Sequence, residues 1–156
     1  MNTDDLTINI DDLDFGDLLS DWASLLSGNY EPLLMNAFGD LFLQGENGHV
    51  YFLDLASGTA NEVAKDIEEF SELLNEENHV AQWFMPGLVE ELHQQNMLLD
   101  PGQCYGYKIP PILSGPLTPE NIQPTDISLH YASLAHVYEQ VKDVPAGTHI
   151  GNIKIA

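Results

Sequence analysis

Carboxylates dominate the side chains of this sequence that could do chemistry. The 156 residues include 25 Asp and Glu, six His and one Cys, but only four basic residues, all of them Lys. Paired carboxylates serve as general acid and base when a cleft perturbs their pKa values. In this chain the acids of the predicted helices lie opposite the apolar positions, as solvated residues do. For Glu68, Glu69 and Glu72 we therefore expect a solvated face or a face that docks a partner, and not a catalytic site.

The histidines and the cysteine form no motif for metal binding or nucleophilic catalysis. The sequence has no HExxH pair, GxSxG elbow or DxDxDG loop, and residues 11–14 lack the glycine and glutamate of calcium loops. Cys104 falls in a predicted strand, where a free cysteine is commonly a small core residue. We therefore expect no enzyme, no metal and no cofactor. The alternative is a small enzyme or ligand-binding domain with a site near Tyr105, Tyr107, His130 and His136.

The formal charge of −21 limits the macromolecules that this chain can bind. Nucleic acids and anionic lipids would be repelled, and no arginine is available to recognise a guanine or a phosphate. Cationic partners are favoured, above all a basic protein surface. The alternative is that the acidity serves only solubility or adaptation to salt.

The sequence also indicates a compartment. A single cysteine permits no intramolecular disulfide, and residues 1–5 lack the basic and apolar regions of a signal peptide. No apolar run approaches the roughly 20 residues that span a bilayer. We expect a cytoplasmic protein without membrane association.

Apolar spacing predicts the elements of the first half of the chain. Residues 1–14 form either an acidic arm or an edge strand, and a helix follows from Phe15. Residues 40–44 and 49–55 flank an Asn-Gly turn, which predicts an antiparallel hairpin. A helix is then predicted over residues 60–75. Its buried positions would be Val63, Ile67, Phe70 and Leu74.

The second half is predicted to alternate helices with strands. Pro86 divides a helical pattern over residues 78–96, because an interior proline removes a hydrogen bond. A last helix is predicted over 133–141. Strands are predicted over 103–109, 126–131 and 149–155. Together these elements predict one α+β domain over residues 15–156, a mostly antiparallel sheet packed against several helices.

Several ordered stretches form a specific combination of motifs. They are residues 39–43, 48–54, Glu69–Phe70, 101–115 and 140–148. Together they resemble the C-terminal domain of immunity proteins that protect bacteria from DNase toxins of type VI secretion. The resemblance covers roughly residues 16–150, and the layout is also distantly similar to the SUKH superfamily of immunity proteins. The residues expected to shape these motifs are Gly39, Asp40, Gly102, Tyr105, Gly106, Pro110 and Pro111.

The resemblance implies a non-enzymatic antidote that binds a cognate toxin in the cytoplasm and blocks it. Longer family members carry a second, N-terminal domain, in place of which this sequence has the acidic residues 1–14. A nuclease presents a basic cleft, which would attract an acidic surface. We expect the docking surfaces to be the acidic face of the predicted helix 60–75 and the N-terminal aspartates. The residues concerned are Glu62, Asp66, Glu69, Glu72, Asp11, Asp12 and Asp14.

Overall fold

An antiparallel sheet of five strands organises the part of the chain that the structure describes. The structure is a computed structural model, and it describes residues 5–142. The strands lie side by side in chain order. They are β1 (Thr7–Ile8), β2 (Tyr30–Asn36), β3 (Leu41–Gly45), β4 (Val50–Asp54) and β5 (Thr59–Ala64). A separate antiparallel pair is formed by β6 (Gln103–Tyr107) and β7 (Ile122–Asp126).

Five α-helices lie within the described residues. They are α1 (Phe15–Ser20), α2 (Ile67–Leu73), α3 (Glu77–Phe84), α4 (Pro86–Gln94) and α5 (Ile127–Val141). Aspartates begin three of them, because a carboxylate at the N-cap accepts a hydrogen bond from an unpaired backbone N–H of the first turn. These N-cap residues are Asp14, Asp66 and Asp126.

The sheet lies between two layers of helices. Successive side chains of a strand point to opposite faces, so β3 contributes to both layers. Phe42 packs with residues of α2 and α3, including Phe70 and Trp83. Leu41 belongs to a second cluster, with residues of α1 and α5 such as Tyr131. The core is therefore divided by the sheet, and β3 is buried on both faces.

The predicted α+β class and antiparallel sheet are confirmed. The hairpin is present, with Leu41 opposite Leu53 and Gln44 opposite Val50. The helical pattern over residues 78–96 is divided at Pro86, which begins α4 after Met85 takes a left-handed conformation. In the polar N-terminal stretch, residues 7–8 form an edge strand against β2.

The helix predicted over residues 60–75 is wrong in its first half. Residues 59–64 form β5, which pairs with β4, and α2 begins only at Ile67. Strand pairing overrides the local helical pattern here, because hydrogen bonds to β4 satisfy the backbone. Of the four positions predicted to be buried, Phe70 is buried, and Val63 and Leu74 are partly buried against the core. Ile67, predicted to be buried, is 44% exposed.

The strand predicted over residues 126–131 is also wrong. Asp126 ends β7 and caps α5, which begins at Ile127, six residues before the predicted start of the last helix. The buried residues Ile127, His130 and Tyr131 recur at helical spacing, while Leu129 is 56% exposed. The helix predicted from Phe15 ends at Ser20 and continues as turns.

Two predictions fall wholly or partly outside the described residues. The strand predicted over residues 149–155 lies beyond residue 142, and so does most of the motif 140–148.

Candidate partner-binding site

A buried polar turn joins β2 to β3 and contains Gly39 and Asp40 of the motif set. One Asp40 carboxylate oxygen accepts a hydrogen bond from the backbone N–H of Leu55 at 2.9 Å, and the other accepts from the Asn36 side-chain amide at 3.0 Å. Asn36 Oδ1 in turn accepts from the Asp40 backbone N–H. Burial raises the pKa of Asp40 to about 7. These hydrogen bonds hold the turn in place, so the buried Asp40 carboxylate has a structural role and is not presented for binding a partner.

Helix α5 holds the same turn from the other side. His130 Nε2 lies 3.0 Å from the Phe38 carbonyl oxygen, and the Tyr131 hydroxyl donates to the Gly39 carbonyl at 2.6 Å. Burial lowers the pKa of His130 to about 4, so the ring is neutral at pH 7 and its proton lies on Nε2. A Cβ at Gly39 would lie 3.1 Å from the His130 ring, and the φ of +85° also requires glycine.

Residues 102–106, which belong to the motif 101–115, shape the backbone around β6. The Gly102 carbonyl accepts a hydrogen bond from Ile127, the first residue of α5. Tyr105 is fully buried, and its hydroxyl donates to the Met97 carbonyl at 2.6 Å. Gly106 is buried in β6 opposite Gln123 of β7.

The two prolines of that segment begin a tight turn. Pro110 is buried, and its carbonyl accepts a hydrogen bond from Gly115 at 3.1 Å. Pro111 starts a short 3₁₀ turn over Pro111–Leu113. All the motif residues therefore lie in turns or in β6, where they determine the backbone path.

Of the four residues expected at the alternative ligand-binding or catalytic site, the structure brings only two into one pocket. Tyr107 and His130 line a pocket of about 250 Å³, with ring centroids 5.8 Å apart. Tyr105 lines a different groove. His136 is exposed on α5 six residues after His130, so both histidines lie on one helix, and not on a strand and a following helix as predicted.

The structure also places the cysteine and the possible metal ligands of the described residues. Cys104 is fully buried, and burial raises the pKa of its thiol well above the ordinary range, as expected for a core residue. Within residues 5–142 no three His, Cys, Asp or Glu side chains are placed to hold a metal ion. Over the same residues, every helix is too short or too polar to cross a bilayer.

The acids predicted on one helix face lie on two elements. Glu62 is on β5, where its carboxylate contacts His49 Nδ1 at 2.5 Å. Asp66 caps α2, and Glu69 Oε1 accepts a hydrogen bond from the Lys65 backbone N–H at 3.0 Å. Glu72 is exposed on α2. Two of the four acids therefore stabilise the start of a helix, and two are presented on the surface.

The N-terminal aspartates also divide into two roles. Asp14 caps α1 by accepting a hydrogen bond from the Asp17 backbone N–H at 3.0 Å. Asp14 is itself exposed, and so are Asp11 and Asp12, which lie in the turn before α1 and make no N-cap contact. Asp12 lines a groove whose opposite wall includes Leu98 and Asp100. Sequence reasoning missed this wall, because the only signal was an apolar pair beside a Pro-Gly turn, far from Asp12 in the chain.

The described residues define an acidic α+β domain whose buried ionisable groups hold its backbone together. Residues 64–136 match the model of a family described as T6SS immunity protein Tdi1, C-terminal. Over these residues the chain is similar to the C-terminal domain of type VI secretion immunity proteins, which confirms the resemblance there. The match includes Glu69–Phe70 and the segment 101–115, while the runs 39–43 and 48–54 lie outside it.

A solved structure has a similar fold. The crystal structure of Atu4351 from Agrobacterium tumefaciens superposes with a TM-score of 0.55 at 21% sequence identity. The similarity covers 77% of this chain and 63% of that chain. At this identity the likeness concerns the fold alone. A search of curated proteins finds no match.

Proposed function

We propose that this protein binds the cognate toxin of a type VI secretion system in the cytoplasm and neutralises it without catalysis. The family match over residues 64–136 carries the proposal. We propose that the toxin is a nuclease, as the resemblance implies. A cleft that binds DNA must be basic, because it neutralises phosphates. The charge of −21 on this chain is complementary to such a cleft. The proposed distant similarity to the SUKH superfamily rests on the layout of sheet and helices.

The proposed mechanism is occlusion of the basic cleft by an acidic surface. Electrostatic steering raises association rates by roughly 10 to 10³ at low salt. An exposed ion pair contributes only about 0–1 kcal/mol, so a few apolar or aromatic contacts must supply most of the lasting affinity.

The expected docking residues divide into two groups under this mechanism. Glu62, Glu72, Asp11 and Asp12 are exposed, and we propose that they face the toxin. Asp14, Asp66 and Glu69 support the surface indirectly, because their carboxylates hold the backbone at the starts of α1 and α2. Neutralising a member of the first group should weaken toxin binding, whereas neutralising a member of the second should lower folding stability as well.

Co-expression with the toxin encoded beside this gene tests the proposal. We expect this chain to restore growth of cells that produce the toxin, and to abolish degradation of plasmid DNA by the purified toxin. A toxin inactivated at its catalytic residues should co-elute with this chain on gel filtration. Continued killing together with separate elution of the two proteins would exclude an immunity function. Rescue and co-elution with a toxin that leaves DNA intact would exclude only the nuclease.

A further inference from the structure

A groove of about 530 Å³ lies between the N-terminal segment and the loop that joins α4 to β6. Ile8 and Asp12 line it on the N-terminal side, Leu98 and Asp100 line it on the loop side, and Tyr105 lies at its base. The groove therefore joins two segments that are far apart in sequence.

Hydrogen bonds hold both walls of the groove in place. On the N-terminal side, Ile8 pairs with Met35 of β2. On the loop side, the Tyr105 hydroxyl donates to the Met97 carbonyl at 2.6 Å, and the Asp100 backbone N–H donates to Gln103 Oε1 at 2.9 Å. A preformed groove loses little conformational entropy when it is filled, which favours binding.

The lining of the groove combines apolar surface with negative charge. Leu98 is 60% exposed, the largest exposed fraction among the exposed large apolar side chains of residues 5–142. Asp5, Asp12 and Asp100 also line the groove, and His93 is the one residue of a basic type in its lining among the described residues. A matching occupant brings a cation together with an apolar contact. A second copy of this chain is a poor occupant, because both copies carry a charge of −21.

We propose that this groove receives a basic segment of the toxin, with an Arg or Lys side chain beside the aspartates and a neighbouring apolar side chain on Leu98. The inference rests on the proposed function, and it adds one specific contact between this protein and the toxin. Arginine suits the site better than lysine, because its planar guanidinium donates two parallel hydrogen bonds to one carboxylate. The other exposed acids then act through steering, while the groove supplies the short-range contact that slows dissociation.

Substitutions in the groove, matched to substitutions outside it, test the proposal. The groove variants are Leu98→Ser and the double variant Asp12→Asn with Asp100→Asn. Their controls are Leu129→Ser, which replaces a leucine that is 56% exposed, and the double variant Glu31→Gln with Glu120→Gln, which removes the same charge. The measured quantity is the dissociation constant for full-length, catalytically inactive toxin. We expect the groove variants to bind about 10- to 100-fold more weakly, and the controls within about threefold of the original chain.

The outcomes separate the two proposals. If the unsubstituted chain does not bind the toxin, the proposed function is wrong. If it binds, and the groove variants bind as tightly as their controls, only the groove assignment is overturned. Urea unfolding of every variant shows whether a loss of affinity comes with a loss of folding.

A photo-crosslink identifies the occupant directly. Leu98→Cys is labelled with a benzophenone maleimide, and Leu129→Cys is the control. The native Cys104 is fully buried, so labelling occurs at the introduced cysteine. We expect the position 98 probe to crosslink a toxin peptide that contains Arg or Lys beside an apolar residue. A crosslink to a peptide without a basic residue, to a second copy of this chain, or only from position 129 would contradict the proposal.

Discussion

His130 is enclosed between α5 and the β2–β3 turn, where its Nε2 donates to the Phe38 carbonyl. Its pKa is about 4 in the folded chain because burial disfavours the charged ring, against an ordinary value of 6.5. Between these values the unfolded chain binds more protons than the folded chain. The stability contributed by neutral His130 is therefore complete above about pH 6.5 and is lost as the pH falls towards about 4. Each pH unit of that window costs at most about 1.4 kcal/mol.

Replacing His130 by glutamine should reduce this loss of stability at acidic pH. Glutamine retains an N–H donor for the Phe38 carbonyl but does not titrate. The free energy of unfolding is measured in urea at several pH values between about 7.5 and 5. We expect the difference between the original chain and His130→Gln to shrink as the pH falls.

His136→Gln is the control for this experiment, because His136 is exposed on the same helix. Asp40 does not disturb the comparison. Its raised pKa stabilises the protein at low pH and loses that effect as the pH rises towards about 7, and it is present in both chains. A constant difference between the original chain and His130→Gln at every pH would contradict the assignment.

At the scale of a structural element, the loop between β6 and β7 is held by one buried side chain, that of Asn121. Asn121 Oδ1 accepts a hydrogen bond from the Ile109 N–H at 2.8 Å, and its amide donates to the Ile109 and Pro116 carbonyls at 2.9 and 3.0 Å. Gly115 passes so close to this arrangement that an added Cβ would collide with the Ile109 carbonyl. The loop is therefore built from backbone contacts that leave no room for a side chain.

Gly115→Ala should destabilise the protein by about 1–3 kcal/mol or more, because backbone atoms of a closed turn cannot move aside easily. Urea unfolding measures the change. Gly87→Ala is the matched control, since an added Cβ there meets nothing within 4 Å and Gly87 lies in α4. That control should be neutral or more stable by up to about 1 kcal/mol. Equal stability of the two variants would show that the loop can rearrange.

The charge of −21 acts at the scale of the whole molecule. In the proposed mechanism, long-range attraction to a basic toxin accelerates encounter. Salt screens this attraction, because the Debye length falls from about 10 Å at 0.1 M to about 3 Å at 1 M. Groove contacts at short range are screened much less. Salt should therefore act mainly on the association rate, with a smaller effect on dissociation.

Stopped-flow association with inactive toxin tests this division. Between about 0.05 and 0.5 M NaCl we expect the association rate constant to fall about tenfold or more, and the dissociation rate constant to change much less. A variant with several exposed acids outside the groove neutralised should lose part of the salt dependence. An association rate that does not respond to salt would exclude electrostatic steering, even if the complex is tight.

Local signals in the sequence determined the α+β class, the hairpin, the break at Pro86 and the strand that begins at Gln103. Each depends on a few neighbouring residues, such as a period of two, an Asn-Gly turn or a proline inside a helical pattern. The charge follows from composition, and so does the expectation that nucleic acids and anionic lipids are not partners; neither required the fold. The family resemblance was also readable from motifs, and it is confirmed over residues 64–136.

Only the tertiary structure decided the outcome where local patterns are ambiguous or distant segments meet. Residues 59–64 form a strand because β4 offers them a pairing partner. Asp126 both ends β7 and caps α5, so the helix begins directly after the strand. The acids predicted on one helix were thereby divided between β5 and α2. The groove that joins Asp12 to Leu98 has no local signature at all. It exists because long-range packing brings the N-terminal segment and the α4–β6 loop together.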